Sequence, residues 1–204
     1  MFSTMPTDRG QLLFLVRPLP TLVARAADWS LTELAGRLCE LSGSAAVTFA
    51  FRLIDEAQRA GEPTAWIGAA ASSFFPPDAA DGGVDLDALV VVRATDVNSV
   101  ARAADQLARS GAFSVVVLDL DGLSDARIAP ALLSRLLGLA QKHEVAVVIL
   151  TDAPLGSLVS LRAEGLAQRH LGAGVECALH VVKDKRRAPG WTFVEVYRGP
   201  SGLR

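Results

Sequence analysis

From residue 31 onward, short apolar runs alternate with longer stretches whose apolar residues recur every three or four positions. That is the rhythm of a strand–helix–strand succession. "LCELSG" (38–43) reads as a strand that stops at Gly43. "AVTFAFRLIDEAQRAG" (46–61) sets Val47, Phe51 and Ile54 at helical spacing and stops at Gly61. "TAWIG" is the next strand, followed by a Pro/Gly/Asp loop, "SSFFPPDAADGG". "ALVVVRA" reads as a buried strand, and "DVNSVARAADQLARSG" as a helix opened by Asp96 and closed by Gly111. "FSVVVLDL" is the most apolar strand and leads into Asp119 and Asp121. Pro130 suits the first turn of a helix through "ALLSRLLGLAQKH", and "VAVVIL" is another core strand.

Beyond Thr151 the rhythm changes to strands without helices between them: "LVSLRA", "ECALHVVKDK" and "WTFVEVY", the last two joined through "RRAPG" as a hairpin. The pattern predicts an α/β fold whose sheet is parallel in the middle, flanked by helices, and antiparallel at its C-terminal edge. Residues 1–30 read as an N-terminal arm and 31–204 as the core domain. In the arm "QLLFLV" (11–16) has strand character, bounded by Pro18 and Pro20, and "TLVARAA" suits a short helix. No internal repeat is visible.

Composition narrows the function classes. Half of the 204 residues are hydrophobic and 21% are charged, ordinary globular chemistry for a chain of this length. The longest apolar run, Val145–Leu150, is far short of a membrane span, and "MFSTMPTDRG" lacks a secretory layout, so a cytoplasmic protein is expected. Cys39 and Cys177 fit free thiols in a reducing compartment. His143, His170 and His180 are scattered, so no metal set is expected. A net charge of −2 argues against a whole-molecule polyanion binder. Neither a Gly-rich dinucleotide fingerprint nor an activated Ser or Cys with a plausible His is present, which disfavours a metabolic enzyme.

The strand–Gly43–helix junction is where many α/β proteins hold a phosphate. A phosphate loop needs G-x-x-x-x-G-K-[ST], because glycines let backbone N–H groups wrap the anion, lysine neutralises it, and the hydroxyl binds magnesium. Here Phe49 and Ala50 stand where the lysine and the hydroxyl residue belong, and no basic residue lies between Arg37 and Arg52. The only lysines are Lys142, Lys183 and Lys185, so no shift of register restores the motif. No nucleotide, metal or other cofactor is expected.

"GRLCELSG", "AQRAG", "TAWIGA", "GVDLDALVVV", "ADQLARSGAFSVVVLDLDGL", "VAVVILTD" and "HVVKDKRRAPGWTFVEVYRG" follow one another in the order of the core of recombinase A (RecA), the DNA-strand-exchange ATPase, which residues 30–199 resemble. The resemblance implies a RecA-like fold, with departures. Aligned on "AQRAG", Ala46 takes the place of the phosphate-loop lysine, and Gly68, Ala69 and Ala70 stand where the recombinase carries its catalytic acid. The two DNA-binding loops shrink to "LDGLSDARIA" and "APLGSLV". Asp119 matches the magnesium-binding carboxylate of the second nucleotide motif (Walker B), read here as vestigial or as a turn cap. This pattern resembles ImuA-type mutagenesis proteins and SulA-type cell-division inhibitors, RecA-superfamily proteins thought not to use ATP.

Lys183 and Lys185 match a recombinase pair that reaches across the subunit interface to the neighbour's ATP; a solvated edge strand is the plainer alternative. Arg186 and Arg187 extend the patch, although turn-adjacent solvated charge is the plainer reading of the pair. In the arm, Leu12, Leu13 and Phe14 suit packing on a neighbouring subunit, as the recombinase arm does, or folding back on their own sheet. Phe74 and Phe75 suit core anchoring or a partner contact. The resemblance implies a non-enzymatic adaptor in DNA-damage-induced (SOS) translesion synthesis and mutagenesis. Its partners would be recombinase A and an ImuB-type Y-family-like polymerase subunit, with DNA contact at most weak and no membrane. A SulA-like inhibitor and an unconventional ATPase or DNA-binding recombinase paralogue are the alternatives.

Overall fold

A computed structural model describes residues 28–123, 127–171 and 174–198. Leu12, Leu13, Phe14 and the rest of "QLLFLV" and "TLVARAA" lie outside the described residues.

The elements follow in the order α1 (Leu31–Leu34), β1 (Leu38–Ser42), α2 (Ala46–Arg59), β2 (Thr64–Gly68), α3 (Pro76–Asp81), β3 (Leu89–Arg93), α4 (Val97–Ser110), β4 (Val115–Asp119), α5 (Pro130–His143), β5 (Ala146–Leu150), β6 (Leu161–Leu171), β7 (Gly174–Asp184) and β8 (Thr192–Arg198). They build one eight-stranded sheet in the order β3-β2-β4-β5-β1-β6-β7-β8. The six strands from β3 to β6 run parallel, and β7 and β8 return antiparallel. The sheet is therefore mostly parallel with an antiparallel C-terminal edge, as the pattern predicted.

Local chemistry sets the ends of the helices. The Asp96 carboxylate accepts the Ser99 N–H at 2.9 Å to open α4, and Gly111 closes it in the left-handed region at φ 67°. Pro130 occupies the first turn of α5, where a missing N–H costs nothing. β1, β2, β4 and β5 form the buried centre of the sheet. On one face Phe49, Phe51, Leu53 and Ile54 of α2 pack with Trp66, Phe74 and Leu179. On the other, Val100 and Ala104 of α4 and Leu133 and Leu136 of α5 pack with Ile67, Val116 and Val147.

Two strands differ from expectation. β3 is not buried: it is the edge strand, and Val90 and Val91 are 43% and 38% exposed. Its continuous valines mimic a strand packed on both faces, but among the described residues no strand lies outside it. β6 runs on through "EGLAQRHL", a polar stretch that carries no strand signal of its own. Pairing with β7 along its whole length holds it extended, so the partner strand overrides local propensity. The loop aromatics divide: Phe74 is buried against Phe51 and Trp66, while Phe75 is 56% exposed.

Candidate functional site

The phosphate-loop position lies where β1 turns into α2. Gly43 takes φ 91° there, and a Cβ on it would meet the Gly165 carbonyl oxygen at 2.4 Å. That carbonyl belongs to β6, which rises past the end of β1 and lies directly on the turn. It accepts the Ala45 N–H at 2.9 Å, and the Ala46 N–H turns back to Gly43 O at 3.0 Å. From the turn, Ser44 Oγ accepts the Ala167 N–H at 3.2 Å. Two backbone N–H groups of the turn, those of Ala45 and Ala46, are thus engaged by the chain itself. Gly165 permits this approach: a Cβ there would stand 2.8 Å from Phe49 Cδ2 and 3.2 Å from the Ala45 carbonyl carbon. No side chain caps the N-terminus of α2.

Beside this turn lies a cavity of about 410 Å³, lined by Ser42, Gly43, Ala46, Ser73, Thr151 and the carboxylates of Asp119, Asp121 and Asp152. Its lining contains no basic residue. A polyanion placed here would meet three carboxylates and no basic side chain of the lining. Among the described residues no group of His, Cys, Asp and Glu could hold a metal ion.

Asp119 is fully buried at the end of β4, not exposed as strand-end aspartates usually are. It accepts the Ser73 hydroxyl at 2.8 Å and the Asp121 N–H at 3.0 Å. Burial pushes its carboxyl up, and the Ser73 and Asp121 bonds only partly oppose this. Asp121 is exposed, and its carboxylate accepts the Gly122 N–H at 2.9 Å, so both aspartates do turn-capping work. At the end of β2 the Gly68 Cβ position is 3.0 Å from Ser72 Oγ and 3.2 Å from Asp119 Cβ, so a side chain there would press on both.

Lys183 and Lys185 do reach one segment together. Lys183 Nζ donates to Gly156 O at 3.1 Å and Ser157 O at 3.2 Å, and Lys185 Nζ to Leu158 O at 3.3 Å. These bonds use two of the three ammonium protons of Lys183 and one of those of Lys185. Burial, with Lys185 and Arg162 nearby, pulls the Lys183 ammonium below its usual range. Arg186 and Arg187 are not solvated turn charges. Arg186 donates to the carbonyls of Glu33 at 3.2 Å and Ala35 at 2.8 Å, and Arg187 pairs with Glu33 at 2.5 Å, so both fasten α1 to the β7–β8 turn.

Three residues important here were not singled out by sequence reasoning. Glu40, 3% exposed, binds Arg162 at 2.6 Å and accepts the Leu155 N–H at 2.9 Å, fixing the other side of the segment that the lysines hold. A glutamate inside the apolar strand "LCELS" is the signal that could have found it. Gly165, isolated within a strand, is likewise a mark of close backbone approach. Ser73, the partner of Asp119, carried no signal.

No protein-family model matches this chain. Over 87 residues, 41% of its length, it is 39% identical to Protein RecA of Corynebacterium pseudotuberculosis (strain C231). The matched stretch is 23% of that relative's length. Among solved structures, the RadB recombinase superimposes with a TM-score of 0.59 at 16% identity, over 79% of this chain and 87% of that one. The fold is the RecA-type core. The sequence match independently supports a relationship to the RecA superfamily. Among the described residues no helix is long and apolar enough to cross a membrane.

Proposed function

We propose that this protein is a non-enzymatic RecA-like regulator, of the kind the ImuA-type resemblance implies, that binds recombinase A and limits its filament. The observation that carries the reading is the closed β1–α2 turn, with the Ala45 N–H on the Gly165 carbonyl and only carboxylates as charged groups in the adjoining cavity. In this reading the scaffold has no seat for ATP, while the resemblance to a recombinase runs on through the lysine strand. Added to a filament end, it would present Lys183 and Lys185 to the last subunit's nucleotide and offer no nucleotide to the next. Growth would stop there. In this reading the protein acts in the cytoplasm in DNA-damage-induced translesion synthesis and mutagenesis, with an ImuB-type Y-family-like subunit as a further partner and little or no direct hold on DNA.

The test is recombinase filament length on single-stranded DNA with ATP, followed by electron microscopy or light scattering, with this protein added substoichiometrically. Wild type should shorten filaments, and a Lys183→Ala/Lys185→Ala variant should not. No effect of wild type would remove the recombinase partner. Thermal unfolding with millimolar Mg-ATP separates the enzymatic alternative. A ligand present at a hundred times its Kd stabilises by about 2.7 kcal/mol, so a shift of several degrees would show that nucleotide binds after all.

A further inference from the structure

β8 is the antiparallel edge of the sheet, and among the described residues no strand pairs with its outer side. Long regular edges template other strands, so soluble proteins blunt them with prolines, bulges, inward charges or short length. β8 carries none of these devices. It is seven residues long, pairs with β7 in unbroken register from Gly174↔Arg198 to His180↔Thr192, and contains no proline. Its mid-strand charge, Glu195, is paired at 2.6 Å with Arg52 of α2. The other edge strand, β3, has five residues and ends on the exposed Arg93.

The ladder with β7 fixes which groups of β8 remain free. The Val181 N–H donates to the Trp191 carbonyl at 3.0 Å, and the Val181 carbonyl accepts the Gly190 N–H at 2.7 Å, so Val181 turns both backbone groups toward the β8 side. Alternate residues of a strand turn theirs the same way, so Leu179, Cys177 and Val175 do as well. Their register partners Phe193, Glu195 and Tyr197 therefore spend their backbone groups on β7. Those of Thr192, Val194 and Val196 point outward. Phe193 and Tyr197 pack on Phe49 of α2, while Val194 and Val196, on the opposite face, are 54% and 53% exposed.

We propose that two copies of this chain join edge to edge through β8, antiparallel about a two-fold axis normal to the sheet. Such an axis keeps each face of the sheet on its own side. Residues of the Thr192, Val194 and Val196 row then meet the same row of the second copy, and their free backbone groups pair. The registers that keep most of β8 in the ladder centre on Val194, Glu195 or Val196. Centring on Glu195 sets two carboxylates opposite each other, which is unfavourable. Centring on Val194 or Val196 sets a valine against its own copy and places Glu195 opposite Phe193 or Tyr197. The strand is thus complementary to itself. Pairing of β8 with β8 also closes, whereas β8 on β3 of the next copy would leave free edges at both ends and run on into a filament. A formal net charge of −2 opposes the approach of two copies only weakly. The inference stands apart from the regulator reading: either can fail alone.

Sedimentation velocity of the full-length protein across a concentration series tests it, with hydrogen exchange of the β8 amides at both ends of the series. Wild type should pass from monomer to dimer. In the dimer the Val194 and Val196 amides should exchange about tenfold or more slowly, while those of Phe193, Glu195 and Tyr197, bonded to β7, stay protected throughout. Val194→Lys/Val196→Lys sets like charges across the axis at positions that are already exposed, so the fold is kept and the variant should remain monomeric. Val182→Lys, at a 55% exposed valine of β7 outside the β8 ladder, should dimerise like wild type. A wild type that stays monomeric to about 1 mM overturns the proposal. So does a dimer that survives in the double lysine variant, or one whose Val194 and Val196 amides exchange as in the monomer. Loss of the dimer in Val182→Lys overturns it as well, in favour of contact through the open face of the sheet.

Discussion

Replacing Gly165 by alanine is the sharpest probe of the closed turn. The added Cβ would stand 2.8 Å from Phe49 Cδ2 and 3.2 Å from the Ala45 carbonyl carbon, both inside ordinary contact distance. Phe49 cannot move aside cheaply. It is fully buried, with ring neighbours Trp29, Phe193 and Tyr197 at centroid distances of 6.5, 6.2 and 5.7 Å. Overpacking of this kind costs about 1–3 kcal/mol, offset by the roughly 0.5–1 kcal/mol that alanine gains over glycine in the unfolded chain. The net expectation is a loss of about 1–2 kcal/mol, or a fall in Tm of roughly 2–8 °C for a domain of this size. Gly138→Ala is the control, since a Cβ there, inside α5, meets nothing within 4 Å and should stabilise slightly. A Phe49→Leu change should cost less in the Gly165→Ala background than alone, because it relieves the clash. Urea unfolding of the four proteins gives the cycle. If Gly165→Ala proves as stable as Gly138→Ala and couples to nothing at Phe49, β6 does not lie on the turn as described, and the case against a nucleotide seat loses its main support.

Three further outcomes are expected. Because burial raises the folded Asp119 carboxyl above its ordinary 3.8, the native state holds that proton longer than the unfolded chain, and stability falls as pH rises through the folded value. Asp119→Asn should therefore be more stable than wild type in denaturant at pH 7, with the advantage gone near pH 3. Burial also pushes Asp184 up, but the Arg186 N–H, Arg37 and Trp191 more than offset it and hold its carboxyl below the usual range. Its contribution is present above pH 3.8 and lost as pH falls through the depressed value. Asp184→Asn should cost about 3–5 kcal/mol at pH 7, since Arg37, only 1% exposed, loses its partner at 2.5 Å. Finally, Glu40→Ala should free residues 153–158, read as faster exchange at the Leu155 amide and a loss of about 2–3 kcal/mol. Unchanged exchange there would mean that the lysines alone hold the segment.

The order of elements was legible because each strand and helix carries its own local signature: the apolar runs at Val115–Asp119 and Ala146–Leu150, the Asp96 cap, the Gly111 stop and Pro130. The absence of a phosphate-loop lysine was legible too, since it needs only residue identity and spacing. The course of β6 beyond Ala163 was not, because "EGLAQRHL" is held extended by a partner strand that is distant in sequence. The exposure of β3 was equally hidden: a valine run reads the same at the centre of a sheet and at its edge. Arg186 and Arg187 read as loose turn charges until folding brought the end of α1 beside them. Lys183 and Lys185 meet carbonyls of residues 156–158, which only the crossover between β5 and β6 delivers. Sequence alone determined which groups this chain possesses and where its local structure starts and stops. Tertiary structure decided which of those groups are already engaged, above all the Ala45 N–H on the Gly165 carbonyl, because hydrogen bonds and burial depend on neighbours that the chain acquires only by folding.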